Sequence, residues 1–128
     1  MQKLGWTLVF TVASLEHLAE RDIEADDVMD AVFGRHGLAR VRRGGRGTRT
    51  RWFVVAPLAH GEFLTCVLRA AQPRDLDLDG AFVVPLAGEA GQRLEFDESM
   101  RLCVSARISV PDEIRSYRAW QSSKGGRR

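Results

Sequence analysis

Arginine is the residue type whose number and spacing most clearly suggest a chemical role in this sequence. All but two of its 19 basic residues are arginines. A guanidinium group stays charged and forms two parallel hydrogen bonds to phosphate oxygens. Seven arginines, with no acidic residue among them, lie between positions 35 and 51: Arg35, Arg40, Arg42, Arg43, Arg46, Arg49 and Arg51. This cluster predicts contact with a polyanion such as a nucleic-acid backbone. An acidic protein partner or a solvated loop are the alternatives.

The opposite charge precedes this cluster. Between Glu16 and Asp30, seven acidic residues accompany a single arginine, Arg21. Segregation of charge along the chain indicates a directed electrostatic field, which the net charge of +2 conceals.

Further arginines are expected on one face of a sheet. Segments 51–56 and 62–69 predict a hairpin, and 101–108 predicts a half-buried strand. Because Leu64, Cys66 and Leu68 are apolar, their side of the strand should meet the helices. If the register aligns the other faces, one wall carries Arg51, Thr65, Arg69, Ser105 and Arg107, with Phe53 and Phe63 offering ring faces to bases. Pairing of these arginines with Glu62, Glu95 or Glu98 is the alternative.

Alternation in the last strand assigns its residues to faces. The pattern places Leu102, Val104, Ala106 and Ile108 on one face, and Arg101, Cys103, Ser105 and Arg107 on the other. In the helix that follows, Glu113 and Tyr117 stand four residues apart and therefore on one side. Beside an arginine, Tyr117 could polarise a ribose 2′-hydroxyl, whereas a tyrosine that anchors the core is the alternative.

Metal and cofactor chemistry has no counterpart in the sequence. Cys66 and Cys103 lie in apolar runs without a CxxC or Cys/His cluster, so we expect two buried, reduced thiols and no metal. His36 and His60 fall in predicted loops, where either could exchange protons near neutral pH. No Ser/His/Asp set, phosphate-binding loop or dinucleotide fingerprint is present, and we expect no cofactor.

The elements that position these residues indicate one α+β domain over residues 1–128, with a small antiparallel sheet. The predicted order is β-α-α-β-β-(insert)-β-α. It comprises a strand at 7–12, helices at 15–21 and 25–33, a loop or hairpin tip at 43–48, the strands above and a helix at 111–121. Residues 72–98 are expected to be an insertion in which 81–84 pairs with 93–96, and 122–128 a flexible basic tail. Without an apolar run of roughly 18 residues or a secretory signal, we expect a cytoplasmic protein that does not contact membranes.

Several short segments resemble the BrnT-type toxins, small proteins with a RelE-like ribonuclease fold. The resemblance covers roughly residues 6–70 and 100–120. The segments that carry it are Trp6, 20–28, 51–55, 63–67, and Ser105-Ala106-Arg107 followed by Glu113 and Tyr117.

The resemblance implies a metal-free endoribonuclease of a toxin–antitoxin pair. In such an enzyme the RNA's own 2′-hydroxyl attacks while arginines neutralise the phosphate. The implied catalytic residues are Arg107, Arg51, Tyr117 and Glu113. The implied RNA grip is Arg40, Arg42, Arg43, Arg46, Arg49 and Arg69. The implied partners are RNA and an antitoxin protein, with a homodimer as a further option. A non-catalytic module of the same fold, binding nucleic acid or a protein, is the alternative.

Overall fold

Six strands and four helices make up the part of the chain that the computed structural model describes, residues 5–78, 80–84 and 95–125. In chain order they are β1 (Thr7–Phe10), α1 (Val12–Ala19), α2 (Ala25–Val32), β2 (Arg40–Gly44), a 3-10 turn (Gly47–Arg49), β3 (Arg51–Pro57), β4 (Phe63–Ala70), α3 (Pro73–Leu76), β5 (Phe82–Val84), β6 (Met100–Ile108) and α4 (Pro111–Gly125).

The strands form one sheet in the order β2-β3-β4-β6-β1-β5. The α+β class is therefore confirmed. The expectation of a purely antiparallel sheet is wrong at one place, because β1 pairs in parallel with β6. The crossover between these two strands contains α1, α2, α3 and the hairpins, so the first and last strands of the chain can run in the same direction side by side.

The two N-terminal helices start at capping residues. Thr11 caps α1: its hydroxyl accepts from the Ser14 N–H at 3.2 Å, and the Ser14 hydroxyl accepts from the Thr11 N–H at 2.7 Å. These reciprocal bonds satisfy N–H groups that have no partner within the helix. The helix consequently begins at Val12, which the sequence had placed in the preceding strand, and Ser14 is not its cap. Gly34, with φ +63°, follows α2 as predicted for a residue beyond a helix C-terminus.

The main core lies between the sheet and these helices. Leu64, Cys66 and Leu68 are completely buried there against residues such as Leu18 and Val28. The predicted orientation of this strand is confirmed. We call this side of the sheet the helix side.

Helix α4 covers part of the opposite side. Its Tyr117 is buried with Val55 and Phe63, and Ile114 and Trp120 pack against them. The helix was expected to end at position 121 but continues to Gly125, while 126–128 lie outside the described residues. Because α4 rests on one end of β3 and β4 only, the rest of this side is left uncovered by it.

Strand β2 replaces part of the predicted loop. Val41 packs on the helix-side core and is opposite Val54, whereas Arg40 and Arg42 point to the other side. Val41 is the β-branched residue that packs this edge strand against the core, while the arginines on either side of it face solvent. At the end of β2, Gly45 has φ +80°, and a side chain there would overlap the Arg49 carbonyl oxygen.

The segment predicted as an insertion contributes to the sheet. Strand β5 pairs antiparallel with β1, and the rings of Phe82 and Phe10 stack 5.2 Å apart. The expected pairing of 81–84 with 93–96 is wrong for Glu95 and Phe96, which belong to no strand; 93 and 94 lie outside the described residues. The partner of β5 is thus β1, a strand distant in the chain, which a prediction from neighbouring residues overlooks.

Candidate nucleic-acid interface

One continuous row of side chains crosses the side of the sheet opposite the helix side where none of the described helices covers it, between α4 and a second buried cluster that contains Leu76 and Leu102. In the register of β2, β3, β4 and β6, Arg42 is opposite Phe53, Phe53 is opposite Val67, and Val67 is opposite Ser105. All four residues are at least partly exposed. Directly opposed residues lie about 5 Å apart, so the row extends over about 15 Å. We call this row, with the neighbouring Arg51 side chain, the open face.

The ring of Phe53 lies alongside a glycine. A Cβ atom added to Gly44 would stand 3.3 Å from Phe53 Cε2. Gly44 thus leaves room for the ring to lie close to the sheet. A larger residue at this position would have to displace the ring.

A β-bulge in β6 sets the faces of the last strand. The register shifts between Val67 and Leu68, so that Ser105 is opposite Val67 and Cys103 is opposite Leu68, leaving Val104 as the additional residue. Cys103 and Ala106 both join the helix-side core. The strict alternation predicted for 101–108 is therefore wrong, because one additional residue reverses the faces N-terminal to it.

The bulge also separates Arg101 from the other arginines of β6. Its guanidinium lies over the rings of Trp52 and Trp6, 4.3 Å and 5.4 Å from their centroids, and both rings pack on the helix-side core. Burial lowers the pKa of this guanidinium. Arg101 thus stabilises the far end of the sheet through cation–π contacts.

Arg69 is held by a carboxylate. Its two terminal nitrogens donate to the two oxygens of Asp75 on α3, both at 3.0 Å. Asp75 is 5% exposed and also accepts from the Gln72 N–H at 2.7 Å. Burial acts to raise the pKa of Asp75, but these hydrogen bonds and the arginine charge lower it overall. Arg69 and Asp75 therefore form an ion pair that neutralises the arginine charge and attaches α3 to the sheet.

Arg107 is held in the same way by Glu113 on α4. Both of its terminal nitrogens donate to the carboxylate at 2.6 Å. Glu113 also accepts from the Val110 N–H at 2.9 Å and the Thr65 hydroxyl at 3.1 Å. Burial acts to raise the pKa of Glu113, whereas the bonds from Arg107, Val110 and Thr65 lower it overall. The partners of Arg69 and Arg107 are thus Asp75 and Glu113, not the rim glutamates that the sequence suggested.

Tyr117 occupies the core under α4. It is 1% exposed, and its hydroxyl donates to the Leu38 carbonyl oxygen at 2.7 Å. Its ring meets Phe63 edge-on at 5.2 Å, and burial raises its pKa. The interpretation as a core anchor fits this position. Phe63, 8% exposed, does not offer a ring face to a ligand as predicted, because α4 covers it.

The arginine cluster is divided by the register of β2. Arg40 donates to the Ser116 carbonyl oxygen at 3.0 Å and joins β2 to α4. Arg42 points to the open face, whereas Arg43 is opposite Trp52 and points to the helix side. Arg51 donates to two carbonyl oxygens, those of Thr48 and Thr50.

Four exposed arginines of this cluster remain without a carboxylate. Within the described ranges, no hydrogen bond or ion pair engages the guanidinium groups of Arg42, Arg43, Arg46 and Arg49. Of the predicted grip, three members therefore carry uncompensated charge beside the open face: Arg42, and Arg46 and Arg49 in the adjoining turn. Sequence reasoning missed that Arg42 stands directly opposite Phe53, although the alternation Arg40-Val41-Arg42 was a signal for it.

Ser105 is the residue of the row with a neutral polar side chain. Within the part of the chain described here, its hydroxyl forms no hydrogen bond to another residue. Thr65, its neighbour on the same side of the sheet, is in contrast engaged with both Ser109, at 2.7 Å, and Glu113. The Ser105 hydroxyl thus stands ready to donate or accept.

The other candidate groups are dispersed. Both cysteines are free and fully buried, and burial raises the pKa of the Cys103 thiol to about 12. His36 lies 3.4 Å from Asp30, and His60 is exposed after β3. Among the described residues no group of three His, Cys, Asp or Glu side chains is placed to hold a metal ion. The helices in these ranges are too short or too polar to traverse a bilayer.

The geometry thus gives a row of one cation, one aromatic ring, one aliphatic side chain and one unpartnered hydroxyl, with further cations beside it. Comparison of the chain with protein-family models, with curated proteins and with solved structures finds no match.

Proposed function

We propose that this chain binds single-stranded RNA on the open face. The observation that carries the proposal is the alignment of Arg42 with Phe53 across β2 and β3, beside arginines that have no carboxylate. Aromatic side chains bind unpaired bases by stacking, and guanidinium groups bind the phosphates between them. A cation directly across from a ring supplies both contacts within one nucleotide's length.

A single strand fits this surface better than a duplex. In a duplex the bases are stacked on each other, and the phosphates are the groups that reach a flat protein surface. Phe53 and Val67 would then cover polar phosphates without any gain, whereas an unpaired base buries their apolar surface. The choice of RNA over DNA rests on the resemblance to the BrnT-type toxins.

Arg69 and Arg107 have a different role in this proposal from the one first expected. Both terminal nitrogens of each guanidinium donate to one carboxylate, so a phosphate would have to displace that carboxylate before it could bind. Removing one partner of such a pair leaves the other charge uncompensated, which is unfavourable. We therefore assign phosphate binding to Arg42, Arg46, Arg49 and Arg51.

The test is fluorescence anisotropy with labelled single-stranded RNA, single-stranded DNA and duplex RNA. Phe53→Ala and Arg42→Gln should each weaken binding to single strands by about tenfold, the loss of one stacking or one charge-assisted contact. Arg35→Gln, which removes the same charge from the end of α2 on the helix side, should leave it unchanged. Equal binding of duplex RNA, or no binding at all, would overturn the proposal.

An endoribonuclease toxin is the second candidate. The ion pair of Arg107 and Glu113 favours it, since a carboxylate and a guanidinium 2.6 Å apart at the C-terminal end of β6 could accept a 2′-hydroxyl proton and neutralise a phosphate. In this candidate an antitoxin protein would cover the open face. Tyr117 would act only as a structural residue, because its hydroxyl is committed to Leu38.

Induced expression separates the two candidates. A toxin arrests growth, and its pure protein cleaves bulk RNA; Arg107→Ala should abolish both effects, whereas Tyr117→Phe should preserve cleavage. RNA binding without arrest or cleavage would leave the chain as a binding module. Arrest by Arg107→Ala as strong as by wild type would exclude this residue from catalysis.

A further inference from the structure

We infer that Ser105 is the specificity-determining residue of this surface, selecting among bases through its side-chain hydroxyl. The inference rests on the proposed function and adds that one base is read at a defined position. Its basis is the placement of the hydroxyl at the end of the row opposite from Arg42.

The row has the order of groups found along one nucleotide. Arg42 reaches a phosphate, Phe53 and Val67 provide a continuous apolar surface under a base, and Ser105 lies beyond it. Because directly opposed residues are about 5 Å apart, Ser105 stands about 10 Å from Phe53 across the strands. A base stacked over Phe53 and extending across Val67 therefore directs an edge of its ring toward the Ser105 hydroxyl.

The neighbouring polar side chains of β4 and β6 on this side are already engaged. Thr65 is bound to Ser109 and Glu113, and Arg69 and Arg107 are held by carboxylates. Ser105 is half-exposed and without a partner inside the described ranges. The bulge at Val104 directly precedes it, and bulges often adjust the direction of a side chain beside a functional site.

An unpartnered hydroxyl discriminates between bases because it disfavours those that cannot form a hydrogen bond with it. When a bound base covers Ser105, water is removed from the hydroxyl, and a base edge that cannot form a hydrogen bond leaves it unsatisfied. Stacking on Phe53 is tolerant of base type and sets the overall affinity. Affinity and selectivity should therefore be separable by mutation of different residues of the same row.

The experiment measures dissociation constants of fluorescein-labelled oligo(A), oligo(C) and oligo(U), each roughly ten nucleotides long. Wild type should prefer its best base over its worst by about twofold to tenfold, the effect of one neutral hydrogen bond. Ser105→Ala should bring the three constants together by weakening the preferred oligonucleotide. Phe53→Ala should weaken all three alike and keep their order.

Two further variants protect the result. Ser105→Cys retains the size of the side chain with a weaker hydrogen-bonding group, and it should lose the preference as the alanine variant does. Ser122 is an exposed serine in the last part of α4. Ser122→Ala is the matched control and should keep the wild-type base preference. The same preference in Ser105→Ala and Ser105→Cys as in wild type, or equal constants in wild type, would overturn the inference. Absence of binding by wild type would instead refute the proposed function.

Discussion

The dependence of the RNA-binding constant on salt concentration measures how many arginines contact phosphates. Four arginines at the open face and its adjoining turn have no carboxylate partner: Arg42, Arg46, Arg49 and Arg51. Arg69 and Arg107 are each neutralised by a carboxylate on two sides. The structure therefore separates a binding mode with four phosphate contacts from one with six.

The two modes differ measurably. For single strands, each neutralised phosphate contributes about −0.7 to the slope of log K against log salt concentration. Four contacts predict a slope of about −3, and six predict about −4. A fourfold increase in salt should accordingly weaken binding about 50-fold in the first mode and about 300-fold in the second.

Individual variants locate the contacts. Arg42→Gln should reduce the magnitude of the slope to about 2, because one counterion fewer is released. Arg35→Gln, with the same change in charge on the other side of the sheet, should leave the slope as in wild type. Anisotropy titrations of a labelled oligo(U) at four or more salt concentrations give each slope.

Two results would refute this reasoning. The first is a slope of about −4 whose magnitude falls in Arg69→Gln or Arg107→Gln. It would mean that the ion pairs open when RNA binds. A slope near zero would mean that the arginines do not contact phosphates at all, and that the open face serves another class of partner.

Three further predictions concern the folded chain. Asp75→Ala should lower the free energy of unfolding by about 2–3 kcal/mol, since the Arg69 guanidinium and the Gln72 N–H lose a buried charged partner; urea denaturation measures it, and a change below about 0.5 kcal/mol would contradict the burial of this pair. The carboxyl of Glu113 has a lowered pKa in the folded chain, so its stabilisation is present above the unfolded pKa of about 4.3 and is lost as pH falls through the lower folded value. Glu113→Gln should therefore lose less stability on acidification than wild type. An equal loss in both proteins would disprove the stabilising role of this carboxylate. The thiols of Cys66 and Cys103 should resist Ellman's reagent until urea unfolds the chain, because both are buried and burial raises their pKa; rapid labelling of the native protein would show otherwise.

Local patterns were sufficient for much of the fold. The run of apolar residues at alternate positions in β4 predicted which of its sides meets the helices, because a strand directs successive side chains to opposite faces. The two early helices and the hairpin of β3 and β4 were likewise predictable, although the cap at Thr11 shifted the start of α1. Each of these features depends on residues a few positions apart.

The predicted wall of arginines shows where such patterns fail. The faces of Thr65, Ser105 and Arg107 were assigned correctly, since the register shift between β4 and β6 falls N-terminal to Ser105 and leaves these three residues in regular register. The availability of the guanidinium groups was not, because their partners come from α3 and α4. Periodicity within a strand carries no information on which carboxylate a neighbouring helix will bring.

By itself, the sequence determined the α+β class, the orientation of the central hairpin and a surplus of arginine in one segment, all of which follow from the type and spacing of nearby residues. Only the tertiary structure decided that β1 lies beside β6, that a bulge turns Arg101 to the helix side, and which arginines remain without a carboxylate. The physical reason is that strand neighbours, bulges and ion pairs join residues far apart in the chain. Their free energy depends on distances that exist only after folding.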